Sequence, residues 1–136
     1  MRLLNDVLFV AEISEAAPPE AGFFSWDVGD NILRADGALA LLFGLHPRDA
    51  AAGLSIEVYM ERVHPEDRPR LARKIRDSIV ADRPQQETYR VLNSLNEYSW
   101  VTGYGRGFRN ELGDTVRYVG IVVHASEEAR GADLQH

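Results

Sequence analysis

At 136 residues with 45% hydrophobic content, the chain suits one domain with a sizeable core and leaves little room for two. Its formal charge of -6 argues against a broad contact surface for nucleic-acid phosphates, and no apolar run approaches the length of a membrane-spanning helix. With no cysteine there is no disulfide framework, thiol nucleophile, thiolate metal site or cysteinyl-flavin adduct.

Residues 3–13 place Leu4, Val7, Leu8 and Ala11 at three- and four-residue intervals, the pattern of an amphipathic helix. Val10 and Ile13 widen the stripe, so the helix wants covering either by the domain's own sheet or by a second subunit. Ala16-Ala17-Pro18-Pro19 ends it as a stiff spacer. This divides the chain into an N-terminal element at 1–17, a main domain at 18–126 and a polar tail at 127–136. No signal peptide is read at the N-terminus, and a cytoplasmic location is expected.

Residues 22–28 alternate as a strand, Gly29-Asp30-Asn31 turns the chain, and 32–34 return as a second strand. Asp36 caps a short helix through Leu39, Leu42 and Phe43 to Gly44. One or two helical turns follow within 49–60. His64-Pro65-Glu66-Asp67-Arg68-Pro69 reads as a helix entry: His64 makes the turn, Asp67 is the N-cap, and Pro69 sits where its missing N–H is not needed. The helix runs to about Val80 and places Leu71, Ile75 and Ile79 in one row to lie across a sheet.

A strand near 85–92, a polar turn at 93–96 and two long strands at 98–108 and 115–123 complete the domain. The first long strand puts Tyr98, Trp100, Tyr104, Arg106 and Phe108 on one face, and Val101, Gly103, Gly105 and Gly107 on the other. Alternation alone leaves open which face turns inward. If the Trp100 face does, Trp26, Trp100 and Tyr104 wall a cavity with Leu42, Leu71, Ile75 and Ile79, and Arg106 becomes a grip for an anionic head group. A filled core without a ligand is the alternative. The element order favours an α+β fold, an antiparallel sheet with its helices on one face.

Reactive chemistry is sparse. His46 suits a local hydrogen bond beside a proline, His136 is terminal, and His124 ends a strand, where a coupling role is open to it. Gly103-x-Gly105-x-Gly107 lies inside an alternating strand with the wrong spacing for a phosphate loop. No nucleophile or zinc motif is present, so no catalytic activity is expected.

Several segments together resemble the PAS family of the sensor-kinase-associated type, over about residues 22–126. They are Trp26-Asp27, Leu42-Phe43-Gly44, Val63-His64-Pro65-Glu66-Asp67, Tyr89-Arg90, Tyr98 with Trp100, and Tyr118-Val119-Gly120-Ile121. The resemblance implies a five-stranded antiparallel sheet, helices over one face, and often a small-ligand cavity between them. It implies a non-catalytic sensory module of bacterial signal transduction, including two-component systems. Such a module forms a homodimer through a helix where Leu4, Val7, Leu8 and Ala11 fall. It is coupled to a kinase or other output module, in cis or in trans, near His124 and Ser126. Heme-binding relatives use a histidine within the long helix, and none lies between Pro65 and Ala81, so heme is disfavoured, as is flavin without the adduct. The ligand itself stays unknown. A ligand-free protein-interaction module is the second reading and a small enzyme the third; neither nucleic acid nor membrane is an expected partner.

Overall fold

The computed structural model describes residues 21–126. Strand β1 (Ala21–Asp27) alternates Phe24 and Trp26 against Phe23 and Ser25, and turns into β2 (Ile32–Ala35). Asn31 takes the left-handed conformation in that turn. Helix α1 (Gly37–Leu42) starts as expected, with the Asp36 carboxylate accepting from the Leu39 N–H at 3.0 Å. The 49–60 region divides into α2 (Pro47–Ala52) and α3 (Ile56–Arg62). The break falls at Gly53, whose φ of 116° is costly for residues with a side chain, and Leu54 then pairs with Leu33. His46 starts α2, its Nδ1 accepting from the Arg48 N–H at 3.1 Å.

Helix α4 (Arg68–Ala81) precedes β3 (Gln85–Leu92), β4 (Tyr98–Arg109) and β5 (Thr115–His124). The five strands form one antiparallel sheet in the order β2-β1-β5-β4-β3, with the helices packed on one face. This is the expected α+β architecture. The 3–13 helix with Leu4, Val7, Leu8 and Ala11, and the 127–136 tail, lie outside the described residues.

The register decides which face is the core. Gly103 opposes Val122, Gly105 opposes Gly120, and Trp26 opposes Tyr118, so these residues share the helix-covered face with Tyr89 and Val101. The glycine face of β4 is therefore the inner one. A Cβ on Gly105 would meet the Tyr118 ring at 2.3 Å, and one on Gly103 would meet the Tyr89 hydroxyl at 3.1 Å. Aromatic rings from the neighbouring strands lie over the bare backbone and supply its apolar cover.

This corrects two expectations about the cavity. Trp100 and Arg106 are on the outer face, where the Arg90 guanidinium sits 5.1 Å from the centre of a Trp100 ring. Two further corrections concern the helices. Leu42 is buried but borders a separate shallow depression with Ser94, Ser99 and His124. Ile79 is only half-buried, and Ser78 takes the buried position beside it.

Candidate functional site

The wall of the site begins at the entry to α4. Asp67 occupies the N-cap position but makes no capping bond. Its carboxylate instead accepts from the Arg90 backbone N–H at 2.9 Å, from Arg90 Nε at 3.0 Å and from Arg90 Nη2 at 2.8 Å. This corrects the capping role expected for Asp67, because a fully buried carboxylate needs a charged partner more than the helix end needs a cap. His64 does serve the entry: its Nδ1 accepts from the Glu66 N–H at 3.1 Å and its carbonyl from the Asp67 N–H at 2.8 Å. Along the open edge of β3, the His64 N–H donates to the Arg90 carbonyl and Arg70 Nη2 to the Thr88 carbonyl, at 2.9 and 2.6 Å.

Between the inner face of the sheet and helices α1, α3 and α4 lies a cavity of about 60 Å³. Aromatic and aliphatic side chains share its wall, the rings being those of Phe24, Trp26, Phe43, Tyr59, Tyr89 and Tyr118. Leu71 and Ile75 of α4 close one side, and Gln85 enters from the start of β3. None of the residues lining it is charged. Trp26 is fixed by its indole N–H, which donates to Asn31 Oδ1 at 2.9 Å. That same oxygen accepts from the Ile56 N–H at 3.1 Å, so the turn after β1 also positions the start of α3.

The polar groups here are paired unequally. Tyr118 OH donates to Gln85 Oε1 at 3.1 Å and lies 3.4 Å from Ser78 Oγ, which donates in turn to the Arg83 carbonyl. Tyr59 OH and Gln85 Nε2 are buried with no hydrogen-bond partner among the described residues. Burial pushes the Tyr59 hydroxyl up to about 12. Burial, with neighbouring Tyr118 and Glu87, raises Tyr89 as well, and burial raises Tyr118 against the opposing effect of its Ser78 bond. All three hydroxyls therefore keep their protons near neutrality.

Of the residues expected at the cavity, Trp26, Leu71 and Ile75 line it; Tyr104 borders it only through its place in β4, its side chain being exposed on the outer face with Trp100 and Arg106. Leu42, Ile79, Trp100 and Arg106 do not. The sequence reading missed Tyr59, Gln85, Tyr89 and Tyr118. The bare face of β4 was the available signal, since it requires large side chains from adjacent strands to cover it. His124 is exposed at the end of β5, and Ser126 follows Ala125, whose N–H donates to the Trp100 carbonyl at 3.0 Å.

Among the described residues no group of three His, Asp or Glu side chains could hold a metal ion. At about 60 Å³ the cavity is smaller than the roughly 300–1,000 Å³ of pockets that hold drug-sized ligands. The sequence contains no cysteine, which excludes a cysteinyl-flavin adduct. Among the described residues no helix is long and apolar enough to cross a membrane.

Comparison with solved structures finds the same fold at low identity. A sensory box histidine kinase/response regulator from Burkholderia thailandensis superposes with a TM-score of 0.69 at 19% identity, covering 85% of this chain and 84% of that one. The N-terminal domain of a diguanylate cyclase with PAS/PAC sensor from Marinobacter aquaeolei gives 0.70 at 18%, covering 80% and 98%. A domain of a putative light and redox sensing histidine kinase from Haloarcula marismortui gives 0.68 at 19%, covering 85% and 98%. No curated protein matches the chain. The family model described as PAS fold matches residues 32–122, from β2 through Val122 of β5, and the chain accordingly belongs to the PAS family.

Proposed function

We propose that this chain is a non-catalytic sensory PAS domain that takes a small ligand into the cavity and passes a conformational bias to an output module. That module would be a kinase or another signalling domain, supplied by a partner or by further sequence. The observation that carries this reading is the pair of buried polar atoms without a partner among the described residues, Tyr59 OH and Gln85 Nε2, on the wall of a cavity lined by no charged side chain. Interior polar groups are normally paired, and a site for a ligand is one reason for leaving them open. Tyr118 links the cavity to β5, the central strand, whose far end carries His124 and leads to Ser126, the proposed output route.

We assign residues 1–17 to homodimerisation, residues 18–126 to sensing, and the location to the cytoplasm. Among the described residues nothing covers the outer face of the sheet, and the exposure of Phe23, Tyr104, Phe108 and Val116 there supports an apolar partner on that side. The same face favours the second reading, a module that tethers a partner and senses nothing. Native mass spectrometry of gently purified protein separates the two, since a retained small molecule supports sensing and its absence from every preparation supports tethering. Light scattering on 1–136 and on a 14–136 truncation tests the dimer: a dimer that becomes monomeric on truncation is expected, and a monomer in both defeats it.

A further inference from the structure

We infer that the ligand class for this cavity is a small uncharged molecule carrying a hydrogen-bond-acceptor oxygen, such as a ketone, lactone or ester. The inference rests on the sensory reading above and names the chemistry of that same site.

Three observations select this class. The first is size: about 60 Å³ gives room for about four to six water-sized groups, and so for a ligand of about that many non-hydrogen atoms. The second is charge. No lining side chain is ionised near neutrality, so a carboxylate or an ammonium would be buried among aromatic rings without a counter-ion. Arg106, the cation that the sequence offered for an anionic group, is on the opposite face of the sheet.

The third is the direction of the open hydrogen bonds. Gln85 spends its Oε1 on the Tyr118 hydroxyl, and its Nε2, which can only donate, is left over. Tyr59 is 3% exposed and its hydroxyl keeps its proton, so it too has a donor to offer. A hydrocarbon would leave both donors unpaired, whereas an acceptor oxygen satisfies at least one of them. A filled aromatic core would not need these groups at all; phenylalanine and methionine would serve in their places.

The experiment is an NMR titration of the isotopically labelled full chain with four probes of about six non-hydrogen atoms each. They are cyclopentanone, methylcyclopentane, butyrate and pentylammonium. Cyclopentanone should bind about tenfold tighter than methylcyclopentane and move the Gln85 side-chain amide signals, while the two ions leave the cavity signals unmoved. Tyr59→Phe or Gln85→Met should bring the ketone-to-hydrocarbon ratio severalfold closer to one. Equal or tighter binding of methylcyclopentane, or preference for either ion, overturns the ligand class while leaving the cavity as a binding site. No shift at cavity residues with any probe overturns the ligand class and the sensory reading together. The wild-type ratio decides the matter even if a variant fails to fold.

Discussion

Removing the partners of the Asp67–Arg90 pair one at a time should give unequal costs. The two side chains are unequally placed: Asp67 has 3% of its side chain exposed and Arg90 has 24%. In Asp67→Asn, the arginine loses its charged acceptor but can turn partly back to water. Hydrogen bonds to charged groups are worth about 1.5–3 kcal/mol, and partial rehydration holds the net cost near about 2 kcal/mol. In Arg90→Met the carboxylate stays buried, with Arg70 at 3.5 Å as its remaining ion-pair partner, and a stranded buried charge costs about 3–5 kcal/mol. Urea unfolding of the full chain, followed by tryptophan fluorescence, measures both, and the double variant gives a coupling of about 2 kcal/mol. The pH dependence adds a check. Burial alone would raise the Asp67 carboxyl, but the Arg90 bonds and the Arg90 and Arg70 charges outweigh it and hold it below its ordinary value. Its folded pKa is thus below the unfolded one, so its contribution is present above about pH 4 and lost as pH falls through the folded value. The gap between wild type and Arg90→Met should therefore narrow in acid. Costs below about 1 kcal/mol for both variants, or Asp67→Asn costing more than Arg90→Met, would refute the reasoning.

Tyr59→Phe removes an unpartnered hydroxyl and should leave stability unchanged or raise it by about 1 kcal/mol, whereas Tyr118→Phe breaks the bond to Gln85 and should cost about 1 kcal/mol. The same unfolding assay compares them. Gly105→Ala places a methyl group against the Tyr118 ring and should cost about 1–3 kcal/mol, while Arg106→Ala on the outer face should change stability by less than about 0.5 kcal/mol. Equal costs at 105 and 106 would contradict the assignment of faces. In alkali, the buried tyrosines have folded pKa values above the unfolded value of about 10. Their contribution is full below about pH 10 and is lost as pH rises through the folded values, so the urea midpoint should decline from about pH 10 towards 12, less steeply in Tyr59→Phe.

The spans of β4 and β5 are legible because alternation and β-branched residues mark them, yet the inward face of β4 is not. Bulk at Trp100, Tyr104 and Phe108 resembles a buried stripe, while Gly103 and Gly105 offer nothing to bury. What fills the glycine face belongs to other strands, Tyr89 on β3 and Tyr118 on β5, and only the register brings them over it. The row on α4 misleads for a geometric reason. At 3.6 residues per turn each step rotates about 100°, so Ile79 lies about 80° around the helix from Leu71, whereas Ser78 lies about 20° away. Sequence favours the isoleucine; geometry buries the serine. Asp67 is misread in the same manner: its place before a proline-containing first turn signals a cap, and nothing local shows that Arg90 will arrive from a strand 23 residues later.

The distribution of satisfied and unsatisfied polar groups supports the proposed binding cavity over a packing fault. Around its edge the ties are complete: Asp67 with Arg90 at the entry to α4, Ser78 with Arg83 at its exit, and Asn31 with Trp26 and Ile56 at the start of α3. Arg62 at the end of α3 donates to the Phe43 and Leu92 carbonyls at 2.8 and 3.0 Å. The wall elements are thus held at their ends by bonds that do not depend on what fills the interior. A fault in packing would leave apolar surface short of neighbours, with no reason to collect donors. Here both deficits fall on the wall of one cavity, and one of them, Gln85, already holds Tyr118 of the central strand. A ligand that engages the Gln85 amide would therefore act on β5 through a single hydrogen bond, beside its direct contact with Tyr118, which gives the proposed signal a physical route out of the core.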